Sequence, residues 1–326
     1  MTGGSGFIGT HLIQDLLQRA WKVRALVHHR PLPAADGLEV VQGDIRDFDL
    51  IRKCQRDIDV VFHLASALGF SLIGREEFFG INAGGTETVL QAAQEAAVGR
   101  VVHFSSAGVL GHVRSGLVAD ENHPLDPQDI YDQSKLEGEQ IARRYARQGL
   151  DLVIIRPGWV YGPGDRRTFK LVKSIAAGRF FLPGPGRTLQ TPVHIRDLLA
   201  GTHLCAERGR KGETYNLAGA QALPVRDIVA AIARAAGRKP PRLRLPLLPV
   251  KTAARLMGGA FSLIKKEAPL SLSRLAFFIH PKPLSIHKAA DELDYKPLIE
   301  FEEGMRETVR WYRDNGWLSG GPKSWP

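Results

Sequence analysis

The chain has 326 residues, enough for one large domain or two lobes, and its 44% apolar and 24% charged content is ordinary for a globular protein. The two cysteines, Cys54 and Cys205, fit neither a disulfide scaffold nor a metal-binding pattern, so we expect a reducing compartment, the cytoplasm. No signal peptide is recognised, and no unbroken apolar run of about 18 residues predicts a transmembrane helix.

The net charge is +10. Such a charge is compatible with binding to nucleic acid or to an anionic membrane surface. It is equally compatible with an arginine-rich composition and a site for a multiply charged cofactor. Because no nucleic-acid-binding motif occurs, we favour the second interpretation and expect a small-molecule substrate as partner.

A glycine-rich loop opens the chain. Gly3, Gly6 and Gly9 are followed at once by helical spacing of apolar residues at Leu12, Ile13, Leu16 and Leu17. A loop of this kind lets the backbone approach a pyrophosphate, whose charge then lies at a helix N-terminus. Such a loop normally follows a buried strand. Only Met1 and Thr2 precede it here, so we expect the first strand of the sheet to be missing.

Short apolar runs then alternate with helical patterns. Strands are predicted at Val23–Val27, Leu38–Gln42, Val60–Leu64, Arg100–Phe104 and Leu152–Ile155, and helices at Ile81–Ala97 and Tyr131–Arg147. This alternation predicts an α/β fold with a doubly wound parallel sheet, covered by helices on both faces. Ligands of such sheets bind at the C-terminal ends of the strands.

The alternation loosens after about residue 165. We expect residues 1–165 to form the dinucleotide-binding domain, with residues 190–220 returning to it through strands at Val193–Ala200 and Thr214–Leu217. Residues 166–189 and 221–326 would form a smaller substrate-binding lobe.

One segment of this lobe, residues 250–266, has amphipathic spacing. Its apolar stripe consists of Val250, Ala253, Met257, Ala260, Phe261 and Ile264, while Lys251, Arg255, Ser262 and Lys266 fall on another face. A basic amphipathic helix of this kind can lie on an anionic bilayer as a peripheral contact or cover an apolar pocket. The ordinary alternative is a helix whose apolar stripe packs onto the lobe, and we favour it.

Chemistry is indicated by Tyr131 and Lys135, which are four residues apart and share one face of a helix. A nearby ammonium stabilises the tyrosinate, so we expect a lowered tyrosine pKa and a general acid/base that exchanges a proton with an alcohol or ketone. Alone, this spacing also fits a solvated helix face. Ser106 favours the general acid/base interpretation, because it follows the strand Arg100–Phe104 at the end where ligands bind.

Nine segments in order carry a family resemblance: TGGSGFIG, GDIRD, FHLAS, NAGGT, FSSAGVLG, YDQSK, RPGWVYGPGD, VHIRD and YNLAG. Together they resemble the extended short-chain dehydrogenase/reductase family, also called the NAD-dependent epimerase/dehydratase superfamily, over essentially the whole chain. The resemblance implies a Rossmann-type fold and an NAD(P)-dependent enzyme. Relatives have valine at the position of Met1, so we expect the true start to lie upstream of it. Homodimerisation through the helices Ile81–Ala97 and Tyr131–Arg147 is typical of relatives.

The resemblance also implies roles for individual residues. Tyr131 would be the proton donor or acceptor, Lys135 would lower its pKa and bind the nicotinamide ribose, and Ser106 would hold the substrate oxygen. No metal is implied. The residues implied to line the cofactor are Gly3, Gly6, Phe7, Ile8, Gly9, Asp44, Ile45, Leu64, Ala65, Ser66, Asn82, Tyr131, Lys135, Pro157, Gly158 and Val160.

The cofactor preference rests on the end of the second predicted strand of such folds. NAD sites usually place an acidic residue there to bind the ribose 2′-hydroxyl. The resemblance puts Val27 at that position, and His28, His29 and Arg30 follow it. These side chains can meet a 2′-phosphate, or they can be ordinary exposed turn residues. We expect NADP(H) in preference to NAD(H).

Departures from the family pattern narrow the substrate. Ala107 and Gly108 stand where sugar-nucleotide 4,6-dehydratases carry an acidic pair, and Gln190 stands where nucleotide-sugar enzymes often carry arginine. The segments Ala268–Ser271 and Lys288–Pro297 resemble the 3-beta-hydroxysteroid dehydrogenase and dihydroflavonol reductase-like branch. We therefore expect a dehydrogenase or reductase of a hydrophobic or polycyclic alcohol or ketone. A nucleotide-sugar epimerase that cycles its hydride internally is the alternative, and a non-catalytic dinucleotide-binding module is a third.

Overall fold

The computed structural model describes residues 1–68, 71, 73–263 and 272–318. Strands are β1 (Val23–Val27), β2 (Leu38–Gln42), β3 (Val60–His63), β4 (Arg100–Phe104), β5 (Leu152–Pro157), β6 (Trp159–Tyr161), β7 (Leu182–Pro183), β8 (Leu189–Gln190), β9 (Pro192–His194), β10 (Thr214–Leu217), β11 (Leu223–Pro224) and β12 (Arg244–Leu245). Helices are α1 (Phe7–Gln18), α2 (Phe48–Cys54), α3 (Arg75–Phe79), α4 (Gly85–Glu95), α5 (Ile130–Arg147), α6 (Arg166–Ala176), α7 (Ile195–Arg208), α8 (Val225–Ala235), α9 (Leu247–Leu263), α10 (Leu272–Ile279), α11 (His287–Leu293) and α12 (Phe301–Asp314).

The central sheet is parallel and runs in the order β2, β1, a gap, β3, β4, β5, β10. In the gap lie only Met1 and Thr2. The Thr2 amide donates to the Phe62 carbonyl at 3.0 Å, and the Leu26 amide donates to the Met1 carbonyl at 2.9 Å, so these two residues bridge both neighbours. Met1 and Thr2 thus lie between β1 and β3 and connect the two halves of the sheet.

Helices cover both faces of this sheet, as the alternation predicted. On β4, Val102 faces a core layer shared with α1, α7 and α11, while the next residue towards the N-terminus, Val101, faces a layer shared with α2, α4 and α5. Successive strand residues point to opposite faces, so both layers are supplied by the same strands. Each fully buried side chain of this kind contributes about 1.5–3 kcal/mol.

The predicted element bounds are confirmed for β1, β2, β4 and β10, while β3, β5 and α5 differ by one or two residues at one end. Two other segments differ more. The helix expected at 81–97 begins with a π-helical turn, Gly80–Gly84, before α4. The strand predicted at Val193–Ala200 is wrong beyond residue 194, because Ile195–Arg208 is the helix α7. Ile195, Leu198 and Leu199 have helical spacing, and the His194 ring nitrogen caps the Arg196 amide.

The remaining elements build a second core around Tyr161, Val229 and Met305, from α6, α8 and α12. Beside it, α9 packs Val250 and Ala254 against Leu275 of α10. The ordinary interpretation of the amphipathic segment is thus correct for its stripe at Val250. Residues 264–266 of that segment and the segment Ala268–Ser271 lie outside the described residues. No helix in the described part of the chain is long and apolar enough to cross a membrane.

Candidate active site

Ser106 and Tyr131 meet at the C-terminal edge of the sheet. Ser106 follows β4 and caps a short 3-10 turn, Ala107–Leu110, by accepting a hydrogen bond from the Gly108 amide at 2.9 Å. Tyr131 lies in the first turn of α5, close enough to Ser106 for the serine hydroxyl to favour a lower Tyr131 pKa, although burial outweighs that effect. Two hydroxyl groups thus face the same space beyond β4, which is where a substrate oxygen can bind both.

Lys135 lies one turn further along α5 and is buried. Its Nζ donates to the Phe104 carbonyl at 2.6 Å, at the last residue of β4. Burial lowers the pKa of Lys135 to about 8, against the attraction of Glu139. Burial also raises the pKa of Tyr131, with smaller effects from Arg167 and Asp132. The lowered tyrosine pKa expected from Lys135 is therefore absent, because loss of solvent outweighs the nearby charges.

A buried ion pair supports this helix, and the sequence analysis assigned it no role. Arg156 binds both Glu139 carboxylate oxygens, at 3.0 and 2.6 Å, and both side chains are fully buried. Ser105 donates to the same carboxylate at 2.6 Å. Burial alone would raise the Glu139 pKa, but the bonds from Arg156 and Ser105 hold it below its usual range. The only sequence feature that pointed to Glu139 was its four-residue spacing from Lys135, which places both residues on one face of α5.

Asp132 is a second group that the sequence analysis missed. Its carboxylate is buried against Gly108, where a Cβ atom would overlap Asp132 Oδ1. Lys282, from the C-terminal part of the chain, approaches Asp132 Oδ2 at 3.6 Å. Burial raises the Asp132 pKa, and Lys282 opposes this effect. The segment around Lys282 is thereby held beside Tyr131.

The glycine loop is packed so closely that side chains do not fit. Gly3 has φ +74°, and a Cβ there would lie 2.7 Å from the Ala65 amide nitrogen. A Cβ on Gly9 would overlap the Gly3 carbonyl oxygen. Gly6 precedes Phe7 and Ile8 as the N-cap of α1, and no side chain caps that end. The first turn of α1 therefore presents backbone N–H groups, as a pyrophosphate requires.

His63 ties this loop to α4 through a chain of hydrogen bonds. Its Nδ1 is 2.7 Å from Thr2 Oγ1, its Nε2 is 3.0 Å from Thr86 Oγ1, and Thr86 donates to the Asn82 carbonyl. The Ala65 amide donates to Thr2 Oγ1. Burial lowers the His63 pKa to about 3, so the ring is neutral and joins two hydroxyl groups. The segment FHLAS contained this histidine without indicating the role.

The residues expected along the middle of the cofactor lie after β3. Leu64, Ala65 and Ser66 form the segment that leaves this strand beside Gly3. Asn82 is buried in the π-helical turn, where its Oδ1 accepts from the Ala67 amide at 2.7 Å and its Nδ2 donates to Ser134 Oγ at 2.8 Å. Asn82 thus fastens the segment after β3 to α5, and π-helical turns of this kind are frequent at functional sites.

The residues expected at the adenine end lie after β1 and β2. His28, His29 and Arg30 follow β1 and are exposed. Asp44 follows β2, and hydrogen bonds from Arg46 hold its pKa at about 2. The next residue, Ile45, is buried against Gly85, where a Cβ would overlap its side chain. The residues at the end of β1 include no Asp or Glu, but Asp44 Oδ2, from the end of β2, lies 3.8 Å from His28 Nε2. Arg46 adds a cation that sequence reasoning missed.

The substrate side begins where β5 ends. Pro157 ends β5, Gly158 connects it to β6, and Val160 lies in β6; the Gly158 amide donates to the Leu217 carbonyl at 2.9 Å. Trp159 packs edge-on against Phe277 of α10 with ring centroids 4.7 Å apart.

Gln190 lies between these elements and the segment that follows α10. It is buried, and its Nε2 donates to the carbonyls of Phe277 and His280 at 2.7 and 2.8 Å. Both amide hydrogens of Gln190 are used within the chain, so none is left for a substrate.

Comparisons with known proteins agree with this arrangement. The model of the NAD dependent epimerase/dehydratase family matches residues 1–218. A 4-hydroxy-2-methyl-3-oxo-4-farnesyl-3,4-dihydroquinoline-1-oxide ketoreductase of Stigmatella aurantiaca is 30% identical, over 94% of this chain and 93% of the relative. A 3 beta-hydroxysteroid dehydrogenase/Delta 5→4-isomerase of Mycobacterium tuberculosis is 30% identical, over 96% and 89%.

A solved structure shares the whole architecture. The dTDP-glucose 4,6-dehydratase of Streptomyces venezuelae, determined with NAD bound, superposes with a TM-score of 0.78 at 31% identity and covers 98% of both chains. The chain thus belongs to the NAD-dependent epimerase/dehydratase family, within the extended short-chain dehydrogenases/reductases, and is an NAD(P)-dependent oxidoreductase.

Proposed function

We propose that this enzyme oxidises or reduces an alcohol or ketone on a hydrophobic or polycyclic substrate, with Tyr131 as general acid/base. The observation that carries the proposal is the placement of Ser106, Tyr131 and Lys135 together at the C-terminal edge of the sheet, where β4 ends. Two hydroxyl groups in contact with one substrate oxygen can orient it and exchange its proton.

Each residue has a defined task in this proposal. Ser106 holds the substrate oxygen, and Tyr131 gives or takes its proton. Because burial keeps Tyr131 protonated, the tyrosine is ready to act as the acid in ketone reduction. Lys135, still cationic at neutral pH, is held by the Phe104 carbonyl on the side where a cofactor ribose would bind. The nicotinamide, when bound, supplies or accepts the hydride.

The substrate class is supported by what surrounds these groups. Trp159 and Phe277 present aromatic surface, and the side-chain amide of Gln190 donates its hydrogen bonds to backbone carbonyls. A nucleotide sugar needs charge-assisted partners for its diphosphate, which a buried amide does not supply. The names of two relatives, a farnesyl-quinoline-oxide ketoreductase and a hydroxysteroid dehydrogenase, agree with a large apolar substrate.

A nucleotide-sugar epimerase is the second candidate. Its support is the 31% identity to a dTDP-glucose 4,6-dehydratase. Ala107 and Gly108 weigh against dehydration, because no acidic pair follows Ser106. An epimerase would show no net consumption of cofactor, and a nucleotide sugar that binds the native state would raise its melting temperature.

The test measures NADPH consumption with sterol-, terpenoid- and flavonoid-type ketones, alongside thermal shift with UDP-sugars. We expect turnover with at least one ketone and no shift with the sugars. Tyr131→Phe should lower kcat by about 10²–10⁴-fold, because it removes the proton donor. Tyr145→Phe is the matched control on the same helix, since its hydroxyl binds Glu87 outside the site. A shift with UDP-sugars and no ketone turnover would favour the epimerase, and undiminished activity of Tyr131→Phe would remove the catalytic assignment.

We further propose that NADP(H) binds more tightly than NAD(H). The support is the exposed group His28, His29 and Arg30, which takes the place of the acidic residue that NAD sites usually carry at the end of this strand, while the nearby Asp44 carboxylate is bonded by Arg46. Dissociation constants for NADPH and NADH, measured by calorimetry, should differ in favour of NADPH. Arg30→Gln should weaken NADPH and leave NADH unchanged, while Lys22→Gln, at an exposed site before β1, should change neither. Tighter binding of NADH would contradict the proposal.

A further inference from the structure

Exposed leucines cluster on α9 and on the strand before it. Leu248 and Leu256 of α9 are 78% and 71% exposed, and Leu243, beside β12, is 59% exposed. On α9, positions 248, 252, 255 and 256 fall on one helical face, opposite the buried Val250 and Ala254. This surface of Leu243, Leu248 and Leu256, which we call the α9 surface, contains none of the residues of the stripe that the sequence spacing marked, of which Val250 packs inwards.

Cations are interspersed with these leucines. From Arg238 to Lys266 the sequence contains eight lysines and arginines and no Asp or Glu. The described members are Arg238, Lys239, Arg242, Arg244, Lys251 and Arg255. In the described part of the chain, none of these six forms an ion pair with a carboxylate. Uncompensated cations next to exposed leucines complement a surface that is anionic outside and apolar beneath.

We propose that the α9 surface docks on an anionic lipid bilayer as a peripheral contact. The leucines would enter the headgroup boundary while the cations meet lipid phosphates, so the contact needs no membrane-spanning helix. A bilayer is the favoured occupant because every charge between Arg238 and Lys266 is positive, and an anionic headgroup layer offers a phosphate to each of these cations.

The position of α9 links this surface to the candidate active site. Next to α9, α10 carries Phe277 against Trp159, and the segment after α10 carries Lys282 to Asp132 beside Tyr131. A substrate dissolved in the bilayer would therefore meet the enzyme at the lobe that leads to its catalytic groups. This last step rests on the proposed function, whereas the docking itself does not.

Flotation of the full-length protein with vesicles tests the docking without any substrate. We expect binding to phosphatidylcholine vesicles that contain phosphatidylglycerol, little binding to pure phosphatidylcholine, and release by added salt, because screening weakens the attraction of the cations. Leu248→Ser with Leu256→Ser should reduce binding by about tenfold or more. The matched control is Leu298→Ser, at a site 81% exposed on the loop before α12.

Charge variants separate the electrostatic part. Arg242→Gln with Arg255→Gln should lower binding and its salt dependence, whereas Arg310→Gln, an exposed arginine of α12, should not. Equal binding to neutral and anionic vesicles, or equal losses in variants and controls, would overturn the proposal. A third result would also overturn it: no vesicle binding by the wild type, together with a change from dimer to monomer in the leucine variant. That result would assign the surface to a second copy of the chain. Ketone turnover in detergent-free buffer, measured separately, reports on the proposed function alone.

Discussion

At the scale of single residues, burial decides the protonation of the candidate site. The ammonium of Lys135 and the hydroxyl of Tyr131 both lose solvent, which lowers the lysine pKa to about 8 and raises the tyrosine pKa. Sequence spacing brings the two groups to one helix face, but it carries no information on desolvation. The sequence therefore predicted the pair correctly and the direction of the tyrosine shift wrongly.

His63 gives a pH-dependent prediction. Its pKa is about 3 in the folded protein and 6.5 when exposed to solvent. Between pH 3 and pH 6.5 the unfolded chain binds more protons at His63 than the folded protein does. The stability that goes with the neutral His63 ring is therefore fully present above pH 6.5 and is lost as the pH falls towards 3. The free energy of unfolding should fall by about 1.4 kcal/mol per pH unit from this group.

Chemical denaturation from pH 7 to pH 4 measures this slope. His63→Gln keeps a polar side chain between Thr2 and Thr86 but does not titrate, so its slope should be shallower by that amount. His287→Gln, at an exposed site, should retain the wild-type slope. A His63→Gln variant as acid-sensitive as the wild type would show that another group controls the transition.

At the scale of elements, the important contact is between the start of α5 and the turn after β4. Gly108 lies in that turn, and its missing side chain makes room for the Asp132 carboxylate. This contact sets the position of Tyr131 relative to Ser106. Tyr131 directly precedes Asp132, and Ser106 accepts a hydrogen bond from the Gly108 amide. In the sequence, Gly108 was notable only because 4,6-dehydratases carry an acidic residue at that position. Its steric role could not be predicted, because it depends on how α5 packs.

Gly108→Ala should therefore disturb the site. The added Cβ would overlap Asp132 Oδ1, so we expect a loss of about 1–3 kcal/mol in the free energy of unfolding and at least a tenfold drop in kcat. Adding Asp132→Ala should restore much of both, because it removes the clash. Gly74→Ala, where a Cβ would meet nothing within 4 Å, is the control. Additive losses in the double variant would disprove the proposed contact.

At the scale of the whole molecule, one extended segment joins the two lobes. The Val113 amide donates to the Pro281 carbonyl at 3.1 Å, and the Ala119 amide donates to the Pro283 carbonyl at 2.9 Å. Lys282, between these prolines, faces Asp132. The segment thus lies beside the candidate site, although 150 to 168 residues separate it in sequence from the residues it contacts. Homodimerisation through α4 and α5 stays a prediction.

Local patterns alone predicted much of this protein. Apolar runs bounded by turn residues located the parallel strands, and the glycine loop with the Tyr131–Lys135 spacing located a dinucleotide enzyme of known family. These features depend on neighbours within a few residues, which a sequence displays directly. The error at Val193–Ala200 arose because β9 is short and ends at His194, while the apolar residues that follow have helical spacing.

Contacts between distant residues were decided by the tertiary structure. Four features depend on which elements pack together: the Arg156–Glu139 pair, the hydrogen bonds from Thr2 through His63 to Thr86, the bonds of the Gln190 amide, and the leucines left exposed on α9. Burial and long-range hydrogen bonds are properties of the assembled layers. The sequence by itself therefore determined the family and placed Tyr131 and Lys135 on one helix face, and the tertiary structure determined their protonation, their support and the surface that the protein presents.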